Sequence, residues 1–341
     1  MTATIKDIAK KVGVSPSTVS RVINRTASIS EETRRKIHIA MEELDYHPNS
    51  LARSLVNGST FTVGLVIDAG NCDAFSNAFF IQSVSAIETV TQERGYNLLI
   101  TNDSNRENNN TVKNLILEKK VDGIILPVSS MTEELVDLML CNDFPFVVMG
   151  EPEKYREQVY WVDVDNEQGG RLAVAHLSEQ GYRHSLLFVE NKGTMFEKKR
   201  SIGFQKGYEA GNMQWNREYI VECGTTVQSI AAAMEKLKKG EIEADSIICA
   251  NNIMAYHVLQ ELKKEGKKVP QDIGIVTFDN YPLAEYMEPA LTVIDVDTYR
   301  LGEEAATTLL NQMKGNHDGT RNTLVSTQII QRTSTERDKE G

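Results

Sequence analysis

The chain has 341 residues and a net charge of −11, a length that suits a small head plus two α/β lobes and excludes one small domain. The charge is uneven: residues 1–60 hold nine Lys+Arg against six Asp+Glu, a balance of +3, which leaves −14 for the remainder and confines attraction to phosphate to one end. No secretion signal opens the chain, no apolar run could span a bilayer, and Cys72, Cys141, Cys223 and Cys249 are scattered, so a cytoplasmic protein with reduced thiols is expected.

The first predicted helix starts at Thr4, with Asp7 three residues on as in a capping box, and shows Ile5, Ile8, Ala9 and Val12 on one face. Gly13 stands where it would stop. Ser15 then offers an N-cap oxygen and Pro16 fits the first position of a second helix. Its inner face is Val19, Val22 and Ile23, which leaves Pro16, Ser17, Thr18, Ser20 and Arg21 outward. A third helix begins at Ser30, with Glu31 and Glu32 complementing the dipole and Ile37, Ala40, Met41 and Leu44 closing a small core. Two helices joined by a short Gly-containing turn form a helix-turn-helix pattern, although periodicity alone fits a plain three-helix bundle as well.

The wording decides between them. Through TIKDIAKKVGVSPSTVSRVIN and ELDYHPNSLARSL the chain resembles the lactose-repressor (LacI/GalR) family of bacterial transcription regulators, and more loosely so over nearly its whole length. The resemblance implies a second helix in the major groove, with Pro16, Ser17 and Arg21 at base edges and Arg21 able to grip a guanine bidentately. Thr4, Ser15, Thr18, Ser20 and Asn24 are sized for phosphate contacts, and Tyr46 and His47 lie beside the DNA backbone in the same pattern. The segment 48–58 is too short to persist as a lone helix, yet it has a leucine-rich face that a plain linker would not need. In the resembling family it folds against its dimer mate on DNA. Leu55 there matches a minor-groove wedge, flanked by Ala52 and Arg53. This division gives a head over residues 1–48, a hinge over 49–59 and an effector-binding and dimerisation unit over 60–333.

After Gly58 the pattern changes to short apolar runs alternating with helical stretches, which predicts parallel sheets with helices on both faces. The predicted strands are Thr62–Asp68, Tyr96–Thr101, Val121–Leu126, Phe146–Met149, Val159–Val164, Ser185–Val189, Tyr219–Glu222, Asp245–Ala250, Ile273–Phe278, Leu291–Asp295 and Thr323–Gln331. Among the predicted helices are Asn166–Gln180, Lys199–Gly211 and Thr298–Met313. The resemblance implies a two-lobed body like that of periplasmic sugar-binding proteins, which close on ligand about a hinge. The chain would cross between lobes near Val164, Asp295 and Val325, giving one lobe of 60–163 with 296–324 and another of 164–295 with 325–332. Ser334 to Gly341 are polar and expected to fray.

Ligands in open α/β sheets sit beyond the carboxyl ends of strands. In the loop GNCDAFSNAFF, Phe75 and Phe79 are candidates for the apolar face of a sugar, and Trp161 and Asp163 occupy a strand end. Arg200, in MFEKKRSIGFQKGYEAG, matches the family's effector-gripping arginine. Asp279, in GIVTFDNYPLAE, and Asn251, in CANNIMA, match effector-loop positions. The same residues have plainer readings, as core aromatics and solvated helix charges.

The expected function is a homodimeric, sequence-specific repressor of sugar utilisation genes whose operator affinity responds to a small carbohydrate. The NAFF segment and the SPSTVSRVIN head are similar to maltose-operon repressors of Gram-positive bacteria, which makes maltose or a maltodextrin the preferred effector. A global carbon-catabolite regulator answering to a phosphorylated carrier protein is the alternative. An enzyme is not expected, since no P-loop, G-x-G-x-x-G, G-x-S-x-G or H-E-x-x-H occurs. No cofactor or metal is expected, because the six histidines lack ligand spacing. A transport binding protein would not carry the head.

Overall fold

The computed structural model describes residues 3–24, 29–47, 58–67, 78–102, 110–224, 226–316 and 321–337, with side chains omitted at 24, 78–80 and 110. The head is three helices: α1 (Ile5–Val12), α2 (Pro16–Asn24) and α3 (Glu31–Glu43). The capping box of α1 forms: Thr4 donates to Asp7 Oδ2 through its backbone N–H at 2.9 Å and its hydroxyl at 2.7 Å. Gly13, at φ +77°, ends the helix in the left-handed conformation that glycine adopts freely. Ser15 Oγ accepts from the Thr18 N–H at 3.1 Å, and Ser30 caps α3 through Thr33. Ile8, Ala9, Val19, Val22, Ile37 and Ala40 are the buried core that results.

The body holds two six-stranded sheets. The first is built from β1 (Thr62–Ile67), β2 (Asn97–Asn102), β3 (Gly123–Pro127), β4 (Phe146–Met149), β5 (Tyr160–Val164) and β11 (Asn322–Val325), in the order β11-β5-β4-β3-β1-β2, all parallel. The second comprises β6 (Ser185–Val189), β7 (Ile220–Glu222), β8 (Ser246–Cys249), β9 (Gly274–Phe278), β10 (Thr292–Val296) and β12 (Thr327–Ile330), in the order β12-β10-β9-β8-β6-β7. Only β12 runs antiparallel to its neighbour. Parallel strands buried on both faces need helical crossovers. These are α4 (Ala78–Glu93), α5 (Asn110–Leu117), α6 (Glu133–Cys141), α7 (Asn166–Glu179), α8 (Met195–Ala210), α9 (Val227–Lys238), α10 (Asn252–Lys264), α11 (Pro282–Tyr286) and α12 (Thr298–Met313). Each sheet carries apolar clusters on its faces: Val63, Ile125 and Leu309 fall in one of the first sheet's clusters and Ile124 and Trp161 in the other.

Three local expectations change. The single strand predicted over Thr323–Gln331 breaks at Ser326, with β11 pairing on β5 and β12 turning back along β10. Exposed and buried residues keep alternating through the break, so the pattern alone cannot show that the two halves serve different sheets. Helix α8 starts at Met195 rather than Lys199, and its first turn contains Glu197, fully buried, accepting the backbone N–H groups of Glu190 and Asn191 at 2.6 and 2.7 Å. A buried glutamate of that kind is a tertiary effect invisible in the run of charges. The C-terminal segment does not fray at Ser334: this hydroxyl donates to Ile275 O at 2.6 Å and accepts from Thr292 N at 2.8 Å, and Thr335 bonds His176 at 2.8 Å.

Two glycines set the geometry of the second sheet's outer helices. A Cβ on Gly170 would stand 2.3 Å from Arg200 O, and one on Gly203 would stand 2.0 Å from Glu167 O. Helices α7 and α8 therefore touch backbone to backbone, which lays Arg200 against the start of α7.

Candidate effector site and DNA-recognition head

Arg200 is only 8% exposed, in the second turn of α8. Its Nε donates to Asn166 Oδ1 at 3.0 Å and one terminal nitrogen donates to Ala250 O at 3.0 Å. The guanidinium lies over the Phe278 ring at 3.8 Å and over Phe196, one turn earlier on its own helix, at 5.3 Å. One side chain thus joins α7, the end of β8 and the end of β9. Burial pulls the guanidinium's pKa down, and the carboxylates of Asp279, Glu197 and Asp163 pull it back.

Asp279 follows β9 at φ +70°, in the left-handed region that aspartate enters more readily than most side chains. Burial raises its carboxyl above the usual range, against the pull of Arg200. Its Oδ1 is buried without a hydrogen-bond partner among the described residues. Asn251 caps α10, accepting from Met254 N at 2.8 Å, and its amide donates to Glu190 Oε1. Burial raises the Glu190 carboxyl too, and the neighbouring Glu197 adds to the effect. Asp163 accepts Glu151 N at 2.8 Å and Val164 N at 2.7 Å, and burial raises it in turn.

A cleft of about 700 Å3 opens beside this cluster. Its walls come from the carboxyl ends of β1, β3, β4 and β5 on one side and from Thr194, Met195 and Phe196 at the start of α8 on the other. Asp163 and Phe196 belong both to the cleft wall and to the surroundings of Arg200. Crevices beyond strand ends are where such sheets receive ligands.

The structure brings Asp163, Arg200, Asn251 and Asp279 into this region. It does not bring Trp161: that ring is 1% exposed in the core of the first sheet, and its indole N–H donates to Arg156 O at 3.2 Å. Strand alternation explains the correction, since Trp161 points into the helix layer where Val159 also lies. Phe75 lies outside the described residues, as does the side chain of Phe79. Sequence reasoning missed Phe196, Glu197, Asn166 and Asn252. The signal for Phe196 was its place four residues before Arg200, hence on the same helical face.

In the head, Thr4, Ser15, Pro16, Ser17 and Arg21 are exposed, and Thr18 and Ser20 are half-buried. The Ser15, Ser17 and Thr18 hydroxyls form a chain with links of 2.7 and 2.8 Å. Tyr46 packs against the head core, and burial raises its phenol pKa. Ala52, Arg53 and Leu55 lie outside the described residues, as does the side chain of Asn24.

The model of bacterial regulatory proteins of the lacI family matches residues 4–49, and a periplasmic binding protein-like domain matches residues 174–335. The HTH-type transcriptional repressor PurR of Aliivibrio fischeri (strain MJ11) is 32% identical over 338 residues, covering 97% of this chain and 98% of its own. The chain belongs to the lacI family of bacterial regulatory proteins. As a lacI-family member it is a DNA-binding transcriptional repressor. Among solved structures, a transcriptional regulator CelR–cellobiose complex is 28% identical with a TM-score of 0.72, over 97% of this chain and 99% of that one. A lac repressor dimer bound to operator and the anti-inducer ONPF shares the fold at 24% identity, TM-score 0.78, over 98% and 99% of the two chains. So does a probable maltose operon repressor, malR, of Staphylococcus aureus, at 24% identity and TM-score 0.72, over 82% and 99%. Among the described residues no helix is long and apolar enough to cross a membrane, and no group of His, Cys, Asp or Glu could hold a metal ion. Cys223 and Cys249 are buried free thiols, with Cys223 pushed up to about 12 by burial.

Proposed function

We propose that this repressor works as a homodimer on a pseudo-palindromic operator controlling sugar utilisation genes, and that a small carbohydrate of the maltose or maltodextrin type sets its operator affinity. The observation that carries the reading is Arg200, a buried cation tied to three elements behind an open cleft between the two sheets. Arg200, Asp279, Asn251 and Asp163 form the inner wall of the effector site, and residues 60–333 are its sensing unit. An Arg and an Asp converging on hydroxyls give the directional bonds that carbohydrate recognition needs. The cellobiose carried by the CelR relative supports a sugar-sized occupant. Exposed Pro16, Ser17 and Arg21 read base edges, while Thr4, Ser15, Thr18, Ser20, Asn24 and Tyr46 hold the DNA backbone. Ala52, Arg53 and Leu55 enter the minor groove and place the sensor's output at the hinge. Such a protein acts where the DNA is, in the cytoplasm.

Closing the lobes on ligand changes the spacing of the paired hinges. This coupling is limited to the ligand's differential affinity for the two states, about 1–3 kcal/mol, and operator must weaken ligand binding by the same factor. Calorimetry of the protein against maltose, maltodextrins, cellobiose and purine bases is the direct test. Heat of binding from a sugar, lost in Arg200→Ala, is expected. Binding of a purine and no sugar would remove the carbohydrate reading. Operator affinity that moves only with a phosphorylated carrier protein would favour the catabolite regulator.

A further inference from the structure

We infer that Asp122 is the positioning residue that fixes the direction in which the hinge leaves the body, and that operator binding depends on that direction. This rests on the reading above that residues 49–59 place the sensor's output on the operator. Asp122 immediately precedes β3, a strand with neighbours on both sides, and its carboxylate gathers three successive residues of the chain arriving from the hinge. Oδ1 accepts the Thr60 N–H at 2.8 Å and the Thr60 hydroxyl at 3.0 Å. Oδ2 accepts the Ser59 hydroxyl at 2.5 Å and the Phe61 N–H at 2.7 Å. Bonds of this kind, to an ionised acceptor, are shorter and stronger than neutral ones.

The held segment is bent against its own preference. Phe61 stands at φ +51°, in the left-handed region, where a bulky side chain is a true outlier. Its N–H goes to Asp122, its carbonyl accepts the Asn97 N–H at 2.8 Å, and its ring lies tilted on Tyr96 with centroids 6.0 Å apart. Such a conformation persists only where its surroundings over-determine it. The sheet does not require the bend. Strand β1 pairs with β2 from Thr62 and with β3 from Val63, so Ser59 and Thr60, which supply three of the four donors, lie upstream of both ladders. Asp122 therefore acts on the part of the chain that the sheet leaves undirected.

The clamp also sits where a movement of the first lobe is felt. Strands β1 and β3 run from this corner to the effector cleft, which their far ends line through Leu65, Val66, Ile67 and Pro127. Helix α12 backs the same corner: a Cβ on Gly123, the residue after Asp122, would stand 3.0 Å from Leu309 Cδ1 and 3.1 Å from Met313 Sδ. Sheet, helix and hinge exit meet at one carboxylate, so the exit turns with the lobe.

The test uses the full-length protein with the duplex that the wild type selects from random sequence, beside an unselected duplex. Asp122→Asn keeps the shape of the side chain but turns an NH2 group towards donors that a carboxylate would accept. Affinity for the selected duplex should fall about tenfold and DNA bending should shrink, while affinity for the unselected duplex is no weaker and the melting temperature of the body stays within about 2–4 °C. Losing a negative charge would by itself strengthen binding to any duplex, so the expected fall has the opposite sign to the electrostatic effect. Ser59→Ala, which removes one hydroxyl outside the ladders, should weaken binding to the selected duplex about threefold, and it covers the case in which Asp122→Asn does not fold. Leu55→Ala separates this inference from the hinge reading. If Leu55→Ala loses affinity and bending while Asp122→Asn and Ser59→Ala keep both, Asp122 merely caps a strand and the inference is overturned. Equal loss on the two duplexes in either variant would also overturn it. If Leu55→Ala keeps affinity and bending as well, the hinge reading falls and takes the inference with it.

Discussion

The head and the body recognise their partners with opposite kinds of surface. Most of the head's candidate contacts come from one stretch, Thr4 to Arg21, and its polar groups bond to near neighbours such as Asp7, Ser17 and Thr18. The body's candidate site gathers Asp163, Phe196, Arg200, Asn251 and Asp279, supplied by both sheets, and its polar groups also hold the fold together. An outward head residue such as Arg21 can therefore change without loosening the head. A body residue cannot, because the bond that could meet a ligand also ties helix to strand.

The largest expected effect follows directly. Arg200→Ala strips the counter-charge from a group of buried carboxylates, and breaking one side of such a cluster typically costs about 3–5 kcal/mol. Denaturant unfolding should show that loss in the body, and operator release by effector should disappear with it. A variant of wild-type stability that merely fails to respond would mean that the arginine belongs to the ligand alone, and the contrast between head and body would collapse.

Gly203→Ala attacks the same site without touching a polar group. The new methyl would stand 2.0 Å from Glu167 O, where only backbone can yield, so α7 and α8 must separate. Overpacking of this kind costs about 1–3 kcal/mol or more. Separation also stretches the 3.0 Å bond from Arg200 to Asn166, so effector affinity should fall alongside stability. Lowered melting temperature with intact effector affinity would show that the helix contact and the site are independent.

The contrast also explains what could be read in the chain itself. The head was legible almost residue by residue, because caps, a glycine stop and a 3.6-residue apolar period are local and sum to a small core. The α/β alternation and the polarity of Arg200 and Asp279 were legible in the same way. Trp161 was not, since the side of a sheet to which a strand residue points depends on which helix layer covers it. Phe196 was hidden by a predicted helix start four residues too late, and the break at Ser326 by a burial alternation that continues across two sheets. Each miss concerns a neighbour far away in sequence.

Arg21→Ala sharpens the comparison from the other side. Arg21 is exposed in the last turn of α2, so the head should melt as before, within about 0.5 kcal/mol. Operator binding should weaken by about 1–3 kcal/mol at a single guanine, with relaxed preference there, in a binding-site selection experiment. Equal loss on every sequence would make it a phosphate contact. Lost stability would make the head as entangled as the body.

The smallest expected effect is a pH dependence confined to the body. His176 on α7 is 6% exposed, bonded to Thr335, which in turn bonds Thr292 on β10 at 2.7 Å. Burial holds its pKa below the ordinary 6.5, with Glu179 pulling weakly the other way. In the window between the depressed value and 6.5 the unfolded chain binds a proton that the folded chain refuses, so stability falls as pH falls through that window. The buried carboxyls of Asp163, Glu190 and Asp279 are raised and act in the reverse sense, favouring the folded state as they protonate. Comparing His176→Asn with the wild type cancels those carboxyls and isolates the imidazole. Between about pH 7.5 and 5.5 the wild-type body should lose more melting temperature than the variant, while the head's own transition moves equally in both. Parallel pH slopes would mean that His176 is protonated in place, and that Thr335 is held by a charged ring rather than by a neutral one.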